Sequence, residues 1–276
     1  MLDVTRQGYD KYTYSLNKPC KYAELLAAIK AIIKEDEFND KYGRERIASA
    51  LALRGVKVSL SKVYRVCKKY GILKNKRKPK GLTKANEEAK RNADLLKGNF
   101  VSNEPNEKLV GDITQLPTAE GTLYIAGVYD CFNNECVGLA MDDNMKDGLT
   151  QSALEAASKR YNIKGAMLHT DFGSQYTSDN FKNLASRLSI AQSMSIARLC
   201  CYGNAKCESI FGRFKVEAVY DRYDTKNMSM EAVKMLVFRY FMGYWNNRRI
   251  STAIGGVPPA FKRRKFYEAQ RLDLAA

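Results

Sequence analysis

The residue pattern predicts an α/β fold built on a mixed sheet with flanking helices, preceded by a small all-α domain. Three observations carry that prediction. Between Lys108 and Met141 three strand-like runs follow one another through short connections, and from Asp147 onward helical and strand-like segments alternate; that order puts antiparallel and parallel pairs into one sheet. Before Lys74 the apolar residues recur at helical rather than strand spacing. Between the two regions lies Lys74-Asn75-Lys76-Arg77-Lys78-Pro79-Lys80, a like-charged run holding a proline, which predicts an extended basic linker.

Composition limits the partners. At 276 residues and 45% hydrophobic the chain can bury one medium core and a smaller one. Its 46 Lys+Arg against 30 Asp+Glu give a net charge of +16, more than solubility asks for, and predict a polyanionic partner. Nucleic acid fits best, because no apolar run reaches the roughly 18–20 residues of a membrane span and no secretion signal opens the chain. A cytoplasmic location follows, on the nucleoid when DNA is bound. The seven cysteines, odd in number and irregularly spaced, predict free thiols in a reducing compartment. Cys200, Cys201, Cys207 and His169 have the chemistry of a zinc set, but adjacent cysteines chelate one ion poorly, so buried thiols are expected instead.

The first 18 residues are polar and aromatic without a clear period. From Lys21, the spacing of Leu25, Leu26, Ile29, Ile32 and Ile33 predicts a first helix. A second runs from about Gly43 to Arg54, with Ile47 and Leu51 inward and Gly55 at its end. A third starts after Ser59, a good N-cap, turns Val63, Val66, Cys67 and Tyr70 inward, and stops at Gly71. Lys62, Arg65, Lys68 and Lys69 lie outside that apolar stripe. Three short helices ending in a basic one predict a helix-turn-helix-like DNA-binding region over residues 1–73, followed by the linker over 74–104, with a helical stretch near Asn86–Leu96.

The second domain opens with the strand Lys108–Leu116, whose period of two puts Asp112 on one face with Val110 and Thr114. An acid inside an apolar strand is costly unless paired or metal-bound. Leu123–Asp130 and Cys136–Met141 follow as strands, joined through a turn at Asn133-Asn134. Then come a helix over Asp147–Tyr161, a strand Ala166–Thr170, a helix Asp179–Leu188, a short strand near Ala191–Ser193 and a long helix from about Asn204 to Tyr220. That element order is the ribonuclease H-like one. In it the first and fourth strands are neighbours and the last helix crosses their ends, which would bring Asp112, Asp171 and Glu208 together. Hard oxygen donors of this kind suit Mg²⁺ or Mn²⁺. Position alone does not select these three from Asp130, Asp142, Asp143, Asp147, Asp179 and Asp224, since most acids are simply solvated. His169 shares a face with Asp171 and is expected to be a packed strand histidine.

Selection comes from a resemblance that runs nearly the whole length. Tyr42-Gly43-Arg44-Glu45-Arg46-Ile47 and Val58-Ser59-Leu60-Ser61-Lys62-Val63-Tyr64-Arg65 carry it in the basic helical region. Gly111-Asp112-Ile113-Thr114, His169-Thr170-Asp171-Phe172-Gly173-Ser174-Gln175-Tyr176-Thr177-Ser178 and Ser193-Met194-Ser195 carry it in the core. Tyr244-Trp245-Asn246-Asn247-Arg248-Arg249 and Ala253-Ile254-Gly255-Gly256-Val257-Pro258-Pro259 carry it at the end. In these the chain resembles bacterial insertion-sequence transposases of the insertion-sequence three family, the OrfB type with a retroviral-integrase-like DDE core over 105–222 and a helical basic extension over 223–276.

The resemblance implies that Asp112, Asp171 and Glu208 are the DDE triad and hold two Mg²⁺ ions, with Mn²⁺ as a substitute. It implies that Lys215, seven residues after Glu208 on the same helix face, contacts DNA phosphate, and that Gly173, Ser174 and Gln175 support Asp171 and touch substrate. Arg248-Arg249 and Lys262-Arg263-Arg264-Lys265 are expected to bind flanking DNA. The implied activity is metal-dependent strand cleavage and 3′-hydroxyl strand transfer on double-stranded DNA, by a homo-oligomer, with an upstream OrfA product as fusion or partner.

The chain departs from the family at Leu109 (usually Trp), Phe172 (usually Arg), Ser251 (usually His) and Gly203 (usually Asp). The interval from Asp171 to Glu208 is one residue longer than usual, an insertion that falls between Ser195 and Tyr202, ahead of the helix. Two other functions fit the same residues: a DNA-binding protein without catalysis, and a metal-dependent nuclease on the same fold.

Overall fold

The computed structural model describes residues 5–17, 21–73, 99–194 and 204–273. The chain divides into two compact units, Met1–Asn75 and Lys76–Ala276. The linker helix expected near Asn86–Leu96 and the altered segment Ile196–Gly203 lie outside the described residues.

The first unit is helical: α1 (Arg6–Asn17), α2 (Ala23–Lys34), a 3₁₀ turn over Glu37–Lys41, α3 (Arg44–Leu53) and α4 (Leu60–Lys69). Ile29 and Ile32 of α2, Ile47 and Leu51 of α3 and Val63, Val66 and Cys67 of α4 are buried, as their spacing predicts. Ser59 caps α4 by accepting a hydrogen bond from the Lys62 N–H. Gly55 and Gly71 end α3 and α4 at φ of 76° and 63°, a left-handed conformation that costs glycine nothing. α1, whose residues gave no period, adds a helix the pattern did not reveal.

The second unit is a five-stranded sheet in the order β3-β2-β1-β4-β5, formed by β1 (Lys108–Thr118), β2 (Gly121–Asp130), β3 (Cys136–Asp142), β4 (Met167–Thr170) and β5 (Ala191–Met194). The first three strands are antiparallel, and β4 joins β1 and β5 in parallel, the mixed sheet that the element order predicts. Helices α5 (Asp147–Arg160), α6 (Ser174–Thr177) and α7 (Asp179–Arg187) follow the chain order. Leu149, Ala153, Leu154 and Ala157 of α5 and Phe181 and Leu184 of α7 pack with Leu109, Val128, Val137 and Leu168 into one core.

Tyr129 faces a second, aromatic layer with Phe211 and Phe241, and Phe241 also packs on Phe214, Tyr240 and Trp245. β2 is buried on both faces from Ile125 to Asp130, so it reads as a continuous apolar run.

α5 lies directly on β3. A Cβ at Gly138 would stand 2.1 Å from the Ala153 carbonyl oxygen and 3.1 Å from the Ala157 nitrogen. Backbone cannot yield as a side chain does, so Gly138→Ala is expected to cost about 1–3 kcal/mol or more by overpacking. A lowered urea midpoint at unchanged slope checks it.

The last part of the chain holds α8 (Ala205–Phe214), α9 (Met230–Phe238) and α10 (Pro259–Asp273). The long helix expected from about Asn204 to Tyr220 is not regular throughout. α8 passes at Lys215–Val219 into a wider π turn, and α9 does the same at Arg239–Trp245. In the first of these turns Glu217, Ala218 and Val219 are all buried, so the turn is covered on more than one side.

Candidate active site

The sheet sets the positions of the two aspartates. β1 and β4 run parallel with Lys108 opposite Met167, Leu109 opposite Leu168 and Val110 opposite His169. The same offset carried two residues further brings Asp112 level with Asp171, just past the end of β4. Parallel strands in register put residues at equal height on one face, so both carboxylates belong to the same edge of the sheet. Glu208 arrives on the first turn of α8. Asn204 at the N-cap position fixes that helix to the sheet: its amide donates to the Gly111 carbonyl at 2.9 Å, beside Asp112.

The electrostatics follow from this assembly. Burial pushes the Asp112 carboxyl up to about 7, and the like charges of Asp171 and Glu208 push it the same way, against a hydrogen bond from the Ile113 N–H and the charge of Lys215. A half-buried acid flanked by two more acids is disfavoured as an anion, a cost that a proton or a bound cation would relieve. Three hard carboxylate groups fit Mg²⁺ or Mn²⁺ in kind. Among the described residues no three acidic, thiol or imidazole groups are close enough to hold one ion as they stand, so the donors converge on a region rather than a finished cage. Lys215 opens the π turn after α8. Burial lowers its pKa, and Asp112 opposes that shift, which puts its ammonium group within electrostatic reach of Asp112.

The turn after Asp171 is tight. The Gly173 N–H donates to Asp171 Oδ1 at 3.2 Å, and a Cβ on Gly173 would lie 3.1 Å from that oxygen and 3.0 Å from Gln175 Oε1. Any larger residue would press on the carboxylate. Gln175 spends an amide hydrogen on the Met145 carbonyl at 3.1 Å. Phe172 is 56% exposed beside Asp171, an apolar side chain offered to solvent where the family usually has Arg.

His169 is the expected packed histidine, buried with Nδ1 2.9 Å from Ser193 Oγ. Cys67, Cys131, Cys136 and Cys207 are buried free thiols. Cys200 and Cys201 of the zinc set lie outside the described residues.

The basic residues expected to meet DNA divide by exposure. Lys62, Arg65, Lys68 and Lys69 are all exposed on α4, and Arg248 is exposed as well. Arg249 is the correction: it is buried, donating from Nε and Nη2 to the Glu217 carboxylate at 2.7 and 2.8 Å, with its guanidinium 4.4 Å from the centroid of Trp245. Burial alone would lower its pKa; Glu217 more than offsets that and raises it. Tyr240 donates to the same carboxylate at 2.8 Å. Arg249 therefore has no face for DNA and instead pins the two π turns together.

Arg263, expected among the DNA-binding residues, is likewise buried. It donates to Asp130 Oδ2 at 2.7 Å, to Glu135 Oε2 at 2.5 Å and to Asn106 Oδ1 at 2.9 Å. Asp130 is thereby a structural acid.

Sequence reasoning also missed the part played by Asn204. Its position four residues before Glu208 was the available signal, because one helical turn separates them.

Residues 102–200 match the integrase core domain family and residues 21–80 the HTH-like domain family. The sheet, its order and these matches define an integrase-type core, that of a polynucleotidyl transferase, preceded in sequence by a helical HTH-like unit. The chain is 32% identical over 221 residues to the transposase InsF of insertion sequence IS3A from Escherichia coli K12, covering 79% of this chain and 75% of that protein. It belongs to the IS3 family of insertion-sequence transposases. An uncharacterized 31 kDa protein of insertion element IS600 from Shigella sonnei is 28% identical, over 96% of this chain and 97% of that one. Among solved structures, a chain of the simian T-cell lymphotropic virus intasome aligns with a TM-score of 0.47 at 17% identity, covering 80% of this chain and 73% of that chain.

Proposed function

We propose that Asp112, Asp171 and Glu208 form a DDE centre that takes two divalent ions, Mg²⁺ or Mn²⁺, and that the chain cuts DNA at element ends and joins the freed 3′-hydroxyl to a second phosphodiester. The observation that carries this reading is the level placement of Asp112 and Asp171 on adjacent parallel strands, with Glu208 near enough to raise the Asp112 carboxyl further. Divalent ions supply, when bound there, neutralisation of phosphate charge and activation of the attacking and leaving oxygens of an in-line displacement.

The chain's own residues do the rest. Asn204 holds α8 to β1, so that Glu208 and Asp112 keep a common frame. Gly173 closes the turn that orients Asp171. Lys215 offers a cation to the DNA phosphate beside the acids. Both steps are direct phosphoryl transfers, so no Ser, Tyr or Cys nucleophile is called for.

Residues 1–73 are assigned to DNA recognition through Lys62, Arg65, Lys68 and Lys69, the linker 74–104 to phosphate contact, 105–222 to catalysis and 223–276 to its support. A homo-oligomer on paired DNA ends, with an upstream OrfA product as partner or fusion, completes the assignment.

The test is a strand-cleavage and joining assay on labelled element ends. With Mg²⁺ or Mn²⁺ both products are expected, and removal of the metal by EDTA should abolish both while DNA binding persists. Cutting without joining would make the chain a nuclease. Binding without cutting in either metal would reduce it to a DNA-binding protein.

A further inference from the structure

The face of α8 turned away from Glu208 borders a separate cavity of about 390 Å³. At 100° per residue, Lys206, Ser209, Ile210 and Arg213 project on that side of the helix, and all four line it. The turn after β2 and the start of α10 supply the facing wall, with Phe132 and Lys262. Among the described residues the lining holds three cations and no carboxylate.

Two of these cations are held in place by consecutive carbonyls. Lys206 Nζ donates to the Cys131 oxygen at 2.8 Å, and Lys262 Nζ donates to the Phe132 oxygen at 2.8 Å. An ammonium group has three donors, so each keeps further N–H bonds to give. Burial and the neighbouring charge of Lys206 both lower the Lys262 pKa, against the opposing charge of Asp130, which agrees with two like charges held close. Such a pair is costly in isolation and favourable around an anion. The rest of the wall mixes polar side chains, Ser102, Asn134, Ser209 and Ser251, with apolar surface from Ile210, Ile254 and the edges of Phe132 and Trp245, an apolar strip that suits a flat aromatic ring.

We propose that this cavity is a second nucleic-acid site, distinct from the acid-lined edge of the sheet, that seats one nucleotide of single-stranded DNA with its phosphate on Lys206 and Lys262 and its base against the apolar strip. A cavity of this volume admits a single unstacked nucleotide and excludes a duplex, in which the bases are stacked and paired. The site would give the transposase a hold on a frayed or displaced strand while the other face of α8 carries Glu208.

Trp245 is the only tryptophan in the chain, so its emission reports on the cavity directly, without any catalytic step. The full chain is titrated with a short oligothymidylate, with thymidine 5′-monophosphate and with a blunt duplex. Saturable quenching by the oligothymidylate, weakened by salt and weak or absent with the duplex, is the expected result. Lys262→Gln and Ala253→Phe, the second a plug at an exposed lining position, should each weaken it by about tenfold or more, with the thermal midpoint of Ala253→Phe unchanged. Equal quenching by the free mononucleotide would support the same site and make the free nucleotide its source. The proposal is overturned if neither probe quenches, or if Ala253→Phe binds both as the parent does.

Discussion

Asp112→Asn is expected to lower DNA cleavage by about 10³-fold or more and to leave thermal stability unchanged or raised. The substitution keeps shape and removes one anionic donor. Metal-assisted charge stabilisation supplies several kcal/mol of a phosphoryl-transfer barrier, and each 1.36 kcal/mol is a factor of ten in rate, so three decades is the scale of the loss. Stability should respond the other way, because the folded chain disfavours the charge being removed: burial and the charges of Asp171 and Glu208 push this carboxyl up to about 7. A neutral amide avoids that repulsion at neutral pH. A residue kept against its own electrostatic cost is the signature of a site selected for chemistry rather than for packing. Single-turnover cleavage of a labelled element end, paired with a thermal melt of the same preparation, reads both effects. A variant that cuts at the parent rate would remove Asp112 from the centre, whatever its stability.

In the sequence Asp112 interrupts a β-rich run and Asp171 closes a strand-like segment, but position alone did not separate them from the other acids, and the family resemblance made the choice. Their neighbouring strands follow from element order, since three antiparallel strands followed by a crossover leave the fourth strand to pair with the first. The α4 surface was legible too, its basic residues lying off an apolar stripe that turns out to be buried.

The C-terminal region was not. Arg249 and Arg263 stand in basic clusters whose letters describe a solvated surface, and a buried guanidinium is spelled no differently from an exposed one. What decides between them is a carboxylate distant in sequence: Glu217 for Arg249, Asp130 and Glu135 for Arg263. The π turns escaped for a related reason. An apolar run such as Met230–Trp245 stays apolar whichever turn it takes, and its buried residues Tyr240, Phe241, Tyr244 and Trp245 share one face of an α-helix too, so the letters carry no sign of the wider turn. Within the expected helical extension the bounds of α10 could not be read, because Lys262 and Arg263 bond inward to backbone and carboxylate oxygens, which leaves the helix without an apolar period.

The buried cluster around Arg263 sets the second large effect, this time on stability. Arg263→Ala is expected to cost about 3–5 kcal/mol, since removing one partner leaves uncompensated charge in the interior. Asp130 and Glu135 are both buried, and burial already raises the Asp130 carboxyl even with Arg263 present. Glu135 would keep Arg160 at 3.3 Å and the Tyr161 hydroxyl at 2.7 Å, whereas Asp130 would keep only the N–H groups of Phe132 and Asn106. The uncompensated charge therefore falls chiefly on Asp130, and adding Asp130→Asn to Arg263→Ala should recover part of the loss, which a purely steric account of the truncation would not predict. Urea unfolding of the parent, the two single variants and the double variant gives the coupling. Additive losses would show that Arg263 acts through its packing on Tyr161, 4.0 Å from guanidinium to ring centroid, rather than through charge. Because the cluster joins α10 to the β2–β3 turn and to Asn106 ahead of β1, its loss should reach the strand that carries Asp112.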